Sequence, residues 1–227
     1  MCGIAGFMGQ VENRADVIRN MTEVITHRGP DSDGFFTDDN ISMGFRRLSI
    51  IDLGAGHQPI YNEDKSLVLT FNGEIYNYKD LRKELIAKGH KFYTDTDSEV
   101  LVHGFEEWKE DMLPKLRGMF GFAIYNTKDN SLFIARDFFG IKPMHYTQIG
   151  NDFAMQVKSR VFLNILSLKR NSTERHLIPT FHSSMQFRPK LSLRVFTALC
   201  RVTTFGTRTA RLKLPVTLRL VSILMKK

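Results

Sequence analysis

The chain has 227 residues, 42% of them hydrophobic, with eighteen Phe, enough for one large core or two small ones. Its two cysteines, Cys2 and Cys200, have no paired spacing, which argues against a disulfide framework and a Cys-based zinc site. The net charge of +8 divides sharply: residues 1–154 carry 17 Lys+Arg against 23 Asp+Glu, while residues 155–227 carry 15 Lys+Arg and one acid, Glu174.

In chain order, Cys2 to Met8 reads as a short buried strand with glycines at both ends. Ala15 to Thr26 reads as a helix, with Val17, Ile18, Met21, Val24 and Ile25 on one face. His27-Arg28-Gly29-Pro30-Asp31 opens a polar loop of turn residues. Phe35-Phe36 and Ile41 to Phe45 pair across a turn at Asp38-Asp39-Asn40, and Leu48 to Ile51 makes another short strand. Leu67 to Phe71 is a buried strand that ends at Asn72-Gly73. Tyr78 to Lys88 is a helix closed by Gly89, and Ser98 to Trp108 is a second. Leu113 to Arg117 reads as a short third helix. Met119 to Tyr125 and Leu132 to Arg136 are strands around a turn at Lys128-Asp129-Asn130. Strands with helices grouped between them suggest sheets packed on each other and covered by helices. From Met155 onward, apolar and basic residues mix with no sustained period.

The start carries the chemistry. Once Met1 is removed, Cys2 presents a thiol and an α-amine whose ordinary pKa is roughly 7.7–8.0, a nucleophile and a base on one residue. A cysteine at a frayed terminus is, taken alone, more often incidental. Asn72-Gly73 offers a side-chain amide and a backbone N–H to an oxyanion, although Asn-Gly is also the strongest short hairpin signal. Arg47 suits a carboxylate, or is a surface arginine beside Arg46. Asp97 and Glu74 suit an ammonium group, or Asp97 caps the helix that follows it.

The ordered set Met1-Cys2-Gly3-Ile4-Ala5-Gly6, His27-Arg28-Gly29-Pro30-Asp31, Arg46-Arg47-Leu48-Ser49-Ile50-Ile51-Asp52, Gln58-Pro59, Asn72-Gly73-Glu74-Ile75-Tyr76-Asn77, Thr96-Asp97-Ser98-Glu99, Arg117-Gly118-Met119-Phe120 and Arg136-Asp137-Phe138-Phe139-Gly140-Ile141-Lys142-Pro143 resembles the class II glutamine amidotransferase domain of glutamine-hydrolysing asparagine synthetases. The resemblance spans residues 2–154. It implies an α+β fold, a four-layer αββα sandwich of the N-terminal-nucleophile (Ntn) hydrolase type. It implies Cys2 as nucleophile after loss of Met1, and Asn72 and Gly73 as the oxyanion hole. It implies glutamine binding by Arg47, Leu48, Ser49, Ile50 and Ile51, by Asn72, Gly73 and Glu74, and by Asp97. L-glutamine is the expected partner. No cofactor or metal is expected for amide hydrolysis. ATP and Mg belong to the family's second domain, whose Ser-Gly-Gly-x-Asp-Ser loop this sequence lacks.

Residues 155–227 are expected to be a basic tail of no recognised fold, and the chain a truncated synthetase. Placing one T before a codon set for Met155–Val161 yields Tyr-Ala-Ser-Glu-Val-Lys-Ser, close to the family's continuation, which points to a frameshift after Ala154. The competing readings are a stand-alone subunit docking on a separate synthetase domain, a non-catalytic truncated product, or a binding protein acting through its basic tail. A homodimer partner is compatible with the sequence, and nucleic acid is not expected, because the tail has no recognition motif. Without a signal peptide or an apolar run of about eighteen residues, no membrane is expected and the location is cytoplasmic.

Overall fold

In the computed structural model the described residues are 1–48, 57–149, 152–157, 197–198, 208–212 and 218–222. Ser49, Ile50 and Ile51, with the strand expected through them, lie outside this set.

Two six-stranded sheets form the centre. The first contains β1 (Gly3–Met8), β2 (Ser32–Thr37), β3 (Ile41–Arg47), β8 (His145–Ile149), β9 (Asp152–Gln156) and β10 (Thr197–Ala198), in the spatial order β10-β8-β9-β1-β3-β2. The second contains β4 (Ile60–Tyr61), β5 (Leu67–Ile75), β6 (Gly118–Asn126), β7 (Ser131–Arg136), β11 (Arg208–Leu212) and β12 (Leu218–Ser222), in the order β11-β12-β7-β6-β5-β4. All pairings are antiparallel except β12 on β7.

Side-chain alternation sets the layers. Along β5, β6 and β7, Val68, Ala123, Tyr125, Leu132 and Ile134 join a core with β1, β3 and helix α1 (Arg14–Glu23). Their neighbours Leu67, Leu69, Phe71, Phe122, Ile124 and Phe133 face the opposite way, into a core with helices α2 (Tyr78–Ala87) and α3 (Glu99–Trp108). The layers therefore run α1, first sheet, second sheet, α2 and α3: the expected αββα sandwich. β1 is buried along its whole length because α1 covers one face and the second sheet the other. Among the described residues no helix is long and apolar enough to cross a membrane.

Two local expectations are corrected. β5 does not end at Asn72-Gly73; it pairs with β6 as far as Ile75↔Gly118. Gly73 permits this, since a Cβ there would lie 2.3 Å from the Met119 carbonyl oxygen and 2.7 Å from Phe120 Cα. The third helix is a 3-10 turn at Lys109–Lys115, a hydrogen-bonding pattern that accommodates Pro114. Past Ala154, β9 continues to Gln156 and the Val157 N–H donates to the Ile4 carbonyl at 3.1 Å. Strands β10, β11 and β12 in the basic segment extend the sheets at their edges.

Candidate active site

Cys2 sits at the head of β1, in the layer between the two sheets. Its thiol lies 3.5 Å from the Leu48 N–H and 3.7 Å from the Leu48 carbonyl oxygen. Its own carbonyl accepts from Arg28 Nε at 3.2 Å, and burial pushes the Arg28 guanidinium below its ordinary pKa. Arg28 reaches this position because the chain turns tightly against β3. A Cβ on Gly29 would stand 2.4 Å from the Arg46 carbonyl group, and the Asp31 N–H donates to the Arg47 carbonyl at 3.0 Å.

A pocket of about 120 Å³ opens beside the thiol, room for a small molecule rather than one water. Cys2, Arg47, Leu48, Gly73, Glu74 and Asp97 line it, together with Gln58, Thr96 and Ser98. Phe45 and Phe71 supply its apolar wall. Six of the residues singled out from the sequence thus meet in one place.

The edge of β5 builds one wall. β4 pairs only as far as Leu69, and beyond it the Gln58 side chain takes over. Its Oε1 accepts from the Phe71 N–H at 2.6 Å and its Nε2 donates to the Phe71 carbonyl at 3.1 Å. Two residues further, Gly73 presents its N–H and C=O to the same edge, by the two-residue alternation of a strand. Two further still, the Ile75 N–H donates to Asp97 Oδ2 at 2.7 Å. Gly73 is therefore framed by Gln58 and Asp97, with its peptide turned towards the pocket.

Asn72 has the opposite parity. Its side chain lies on the face that Val68 shares with the first sheet, the face towards Cys2. It is 2% exposed, and its Nδ2 makes no hydrogen bond, an orphaned buried donor of the kind a ligand oxygen would satisfy. Asn72 is not part of the pocket lining itself.

The bland alternatives for these residues do not describe the structure. Asn72-Gly73 is not a hairpin turn. Arg47 is not a surface arginine, being only 6% exposed. The N-cap of α3 is Ser98 without a side-chain cap bond, and the Asp97 carboxylate turns instead to β5. Burial, opposed by the Ile75 hydrogen bond and reinforced by nearby Glu74, raises the Asp97 pKa from 3.8 to about 6. An unneutralised carboxyl facing a pocket is suited to a cationic group.

Sequence reasoning quoted Arg28 and Gln58 within motifs and assigned neither a place in the site. The signal for Gln58 was a polar residue before Pro59 in an otherwise apolar approach to β4. For Arg28 it was the Arg-Gly-Pro-Asp turn. Neither signal says which backbone group the side chain will meet.

Residues 1–210 match the family described as glutamine amidotransferase domain. Asparagine synthetase [glutamine-hydrolyzing] 1 of Bacillus subtilis is 44% identical over 200 residues, covering 85% of this chain and 31% of the relative. The Zea mays asparagine synthetase [glutamine-hydrolyzing] is 42% identical over 149 residues, covering 64% of this chain and 25% of the relative. The chain thus spans under a third of the length of these relatives. The family match and the Bacillus match both reach past residue 154, where the charge reverses. Among solved structures, the glutamine phosphoribosylpyrophosphate amidotransferase of Bacillus subtilis, complexed with ADP and GMP, shares the fold with a TM-score of 0.60 at 19% identity, covering 72% of this chain and 43% of that one. A structure described as the allosteric regulatory enzyme of purine biosynthesis gives 0.62 at 20% identity over the same shares.

Proposed function

The chain belongs to the glutamine amidotransferase domain family, and from that premise we propose that it hydrolyses the side-chain amide of L-glutamine to glutamate and ammonia, with Cys2 as nucleophile. The observation that carries the reading is one pocket in which a thiol, a buried guanidinium and a half-buried carboxyl meet beside the Gly73 peptide.

Removal of Met1 frees the Cys2 α-amine. The thiol attacks the amide carbon, and its proton passes by way of the α-amine to the leaving nitrogen. The tetrahedral oxyanion receives the Gly73 N–H and the Asn72 Nδ2–H, the donor left unpaired in the free protein. Ammonia departs and leaves a glutamyl thioester. Water then attacks it, releasing glutamate and restoring the thiol. Arg47 takes the substrate α-carboxylate, with Leu48 and the Ser49-Ile50-Ile51 segment completing that side, and Asp97 with Glu74 takes the α-ammonium. No cofactor enters this step.

The ammonia has a consumer in this reading. The acceptor-activating step, with its ATP and Mg, belongs to a synthetase domain with which the amidotransferase works, and asparagine is the product. A nucleophilic thiol needs a reducing compartment, which within this proposal is the cytoplasm.

The test is ammonia release from L-glutamine by protein whose mass shows Met1 removed. Cys2→Ala is expected to abolish release while keeping the fold, and protein retaining Met1 is expected to be inert. Activity of either at the level of the processed wild type overturns the assignment.

A further inference from the structure

Outside the pocket lining, four side chains with ligating atoms converge: Glu63 after β4, His90 after α2, and His103 and Glu106 on α3. Their ligating atoms all lie within 4.8 Å of one another, and none of the four lines the pocket. Two imidazoles and two carboxylates, partly or wholly buried, need an explanation that amide hydrolysis does not supply.

His103 is decisive. It is 0% exposed, and its Nε2 sits 3.3 Å from Glu99 Oε1. Glu99 also accepts the Tyr93 N–H, the Thr94 N–H and the Thr94 hydroxyl. Both Glu99 oxygens are thus acceptors, and His103 turns Nε2 towards them and Nδ1 away. That atom makes no hydrogen bond, yet it faces Glu63 Oε2 at 3.3 Å. A fully buried ring nitrogen without a hydrogen bond, facing a carboxylate oxygen, is a pair of donor atoms that a cation would bridge.

The spacing suits a metal. Two ligands bound tetrahedrally to zinc at roughly 2.0–2.2 Å stand about 3.3–3.6 Å apart. The outer partners of the ligands are also present. Glu99 orients the His103 ring, the Lys91 N–H holds Glu63 Oε1 at 2.9 Å, and Asn62 Nδ2 donates to Glu106 Oε2 at 3.0 Å. His90 stands with Nδ1 3.2 Å from Glu63 and Nε2 3.7 Å from Glu107. Such partners orient ligands and tune their basicity at metal centres. The mixed nitrogen and oxygen set favours Zn²⁺ or a similar first-row ion over Ca²⁺ or Mg²⁺, which prefer oxygen alone.

We propose that Glu63, His90, His103 and Glu106 bind one divalent first-row cation, of the Zn²⁺ type, at a structural site separate from the amide pocket. The ion fixes His103, His103 fixes Glu99, and Glu99 holds Tyr93 and Thr94 at the start of the loop that delivers Asp97. The site therefore braces the wall of the pocket.

The test uses the full chain with Cys2→Ala and Cys200→Ala, so that no thiol competes. After chelator treatment, Zn²⁺ is titrated by calorimetry and Co²⁺ by visible absorption. One equivalent is expected, with a tetrahedral Co²⁺ spectrum and a higher melting temperature. His103 lies too deep for a clean substitution, so the half-buried His90→Ala and Glu106→Gln carry the comparison, with circular dichroism reporting their fold. Each is expected to weaken binding at least about tenfold, as changes at metal centres do. Absence of binding, or unchanged affinity in folded His90→Ala and Glu106→Gln, overturns the site. Ammonia release is not part of the readout, so the result stands apart from the glutaminase reading.

Discussion

Asp97 carries a cost that the substrate removes. Its pKa is raised above that of the unfolded chain, so the folded protein holds this proton more tightly. The contribution to stability is present below about pH 4, declines as pH rises to about 6, and is absent above it. At neutral pH the penalty is on the order of 3 kcal/mol. Asp97→Asn is therefore expected to raise the melting temperature of the free protein at pH 7 while raising KM for glutamine. In the wild type KM should climb as pH falls below about 6, and in the variant it should not. A flat wild-type profile would count against Asp97 as the ammonium partner. In the proposed mechanism Asn72 acts on the other side of the reaction: Asn72→Ala should lower kcat by about 10²–10³-fold with little change in KM, because its donor would meet charge that develops only in the transition state. These residue types were legible in the sequence because their chemistry is specific. Their bland readings were equally legible, and only burial and hydrogen-bond partners separate the two.

At the scale of elements, long apolar segments were readable and irregular ones were not. β5 was expected to stop at Asn72-Gly73 because that pair signals a turn. It continues because Gly73 has no Cβ to collide with β6, and because Gln58 and Asp97 occupy the edge where a neighbouring strand would otherwise pair. β4 has two residues, too few to show a period, and β8 and β9 lack clear alternation, so all three emerge only from their partners. α1 was visible from its apolar face, but its tight seat on β3 was not. A Cβ on Gly44 would stand 2.5 Å from Thr22 Cγ2 and 3.0 Å from Ile18 Cγ1, and both side chains are stiff at χ1. Gly44→Ala is expected to cost about 1–3 kcal/mol in a denaturant melt by lifting α1 from the first sheet. An unchanged midpoint would mean that the helix shifts without loss.

At the scale of the molecule, sheets packed together and covered by helices were anticipated from strands grouped with helices, the four-layer order followed from the family resemblance, and the sheet orders were not anticipated, since they depend on pairings between distant segments. A chain ending at Val157 is expected to keep a cooperative melt and ammonia release, because β1 to β9 and the three α-helices found among the described residues precede that point. It should also self-associate more than the full chain as concentration rises, because loss of β12 bares the edge of β7. Light scattering across a dilution series distinguishes the two. The central place of β1, between β3 and β9, has a temporal consequence. The strand that closes β1 on its second side is translated about 150 residues after it, so until residues 152–157 arrive β1 has β3 on one edge and an open edge on the other. In the proposed reading, that interval leaves the amino terminus open to the aminopeptidase that removes Met1.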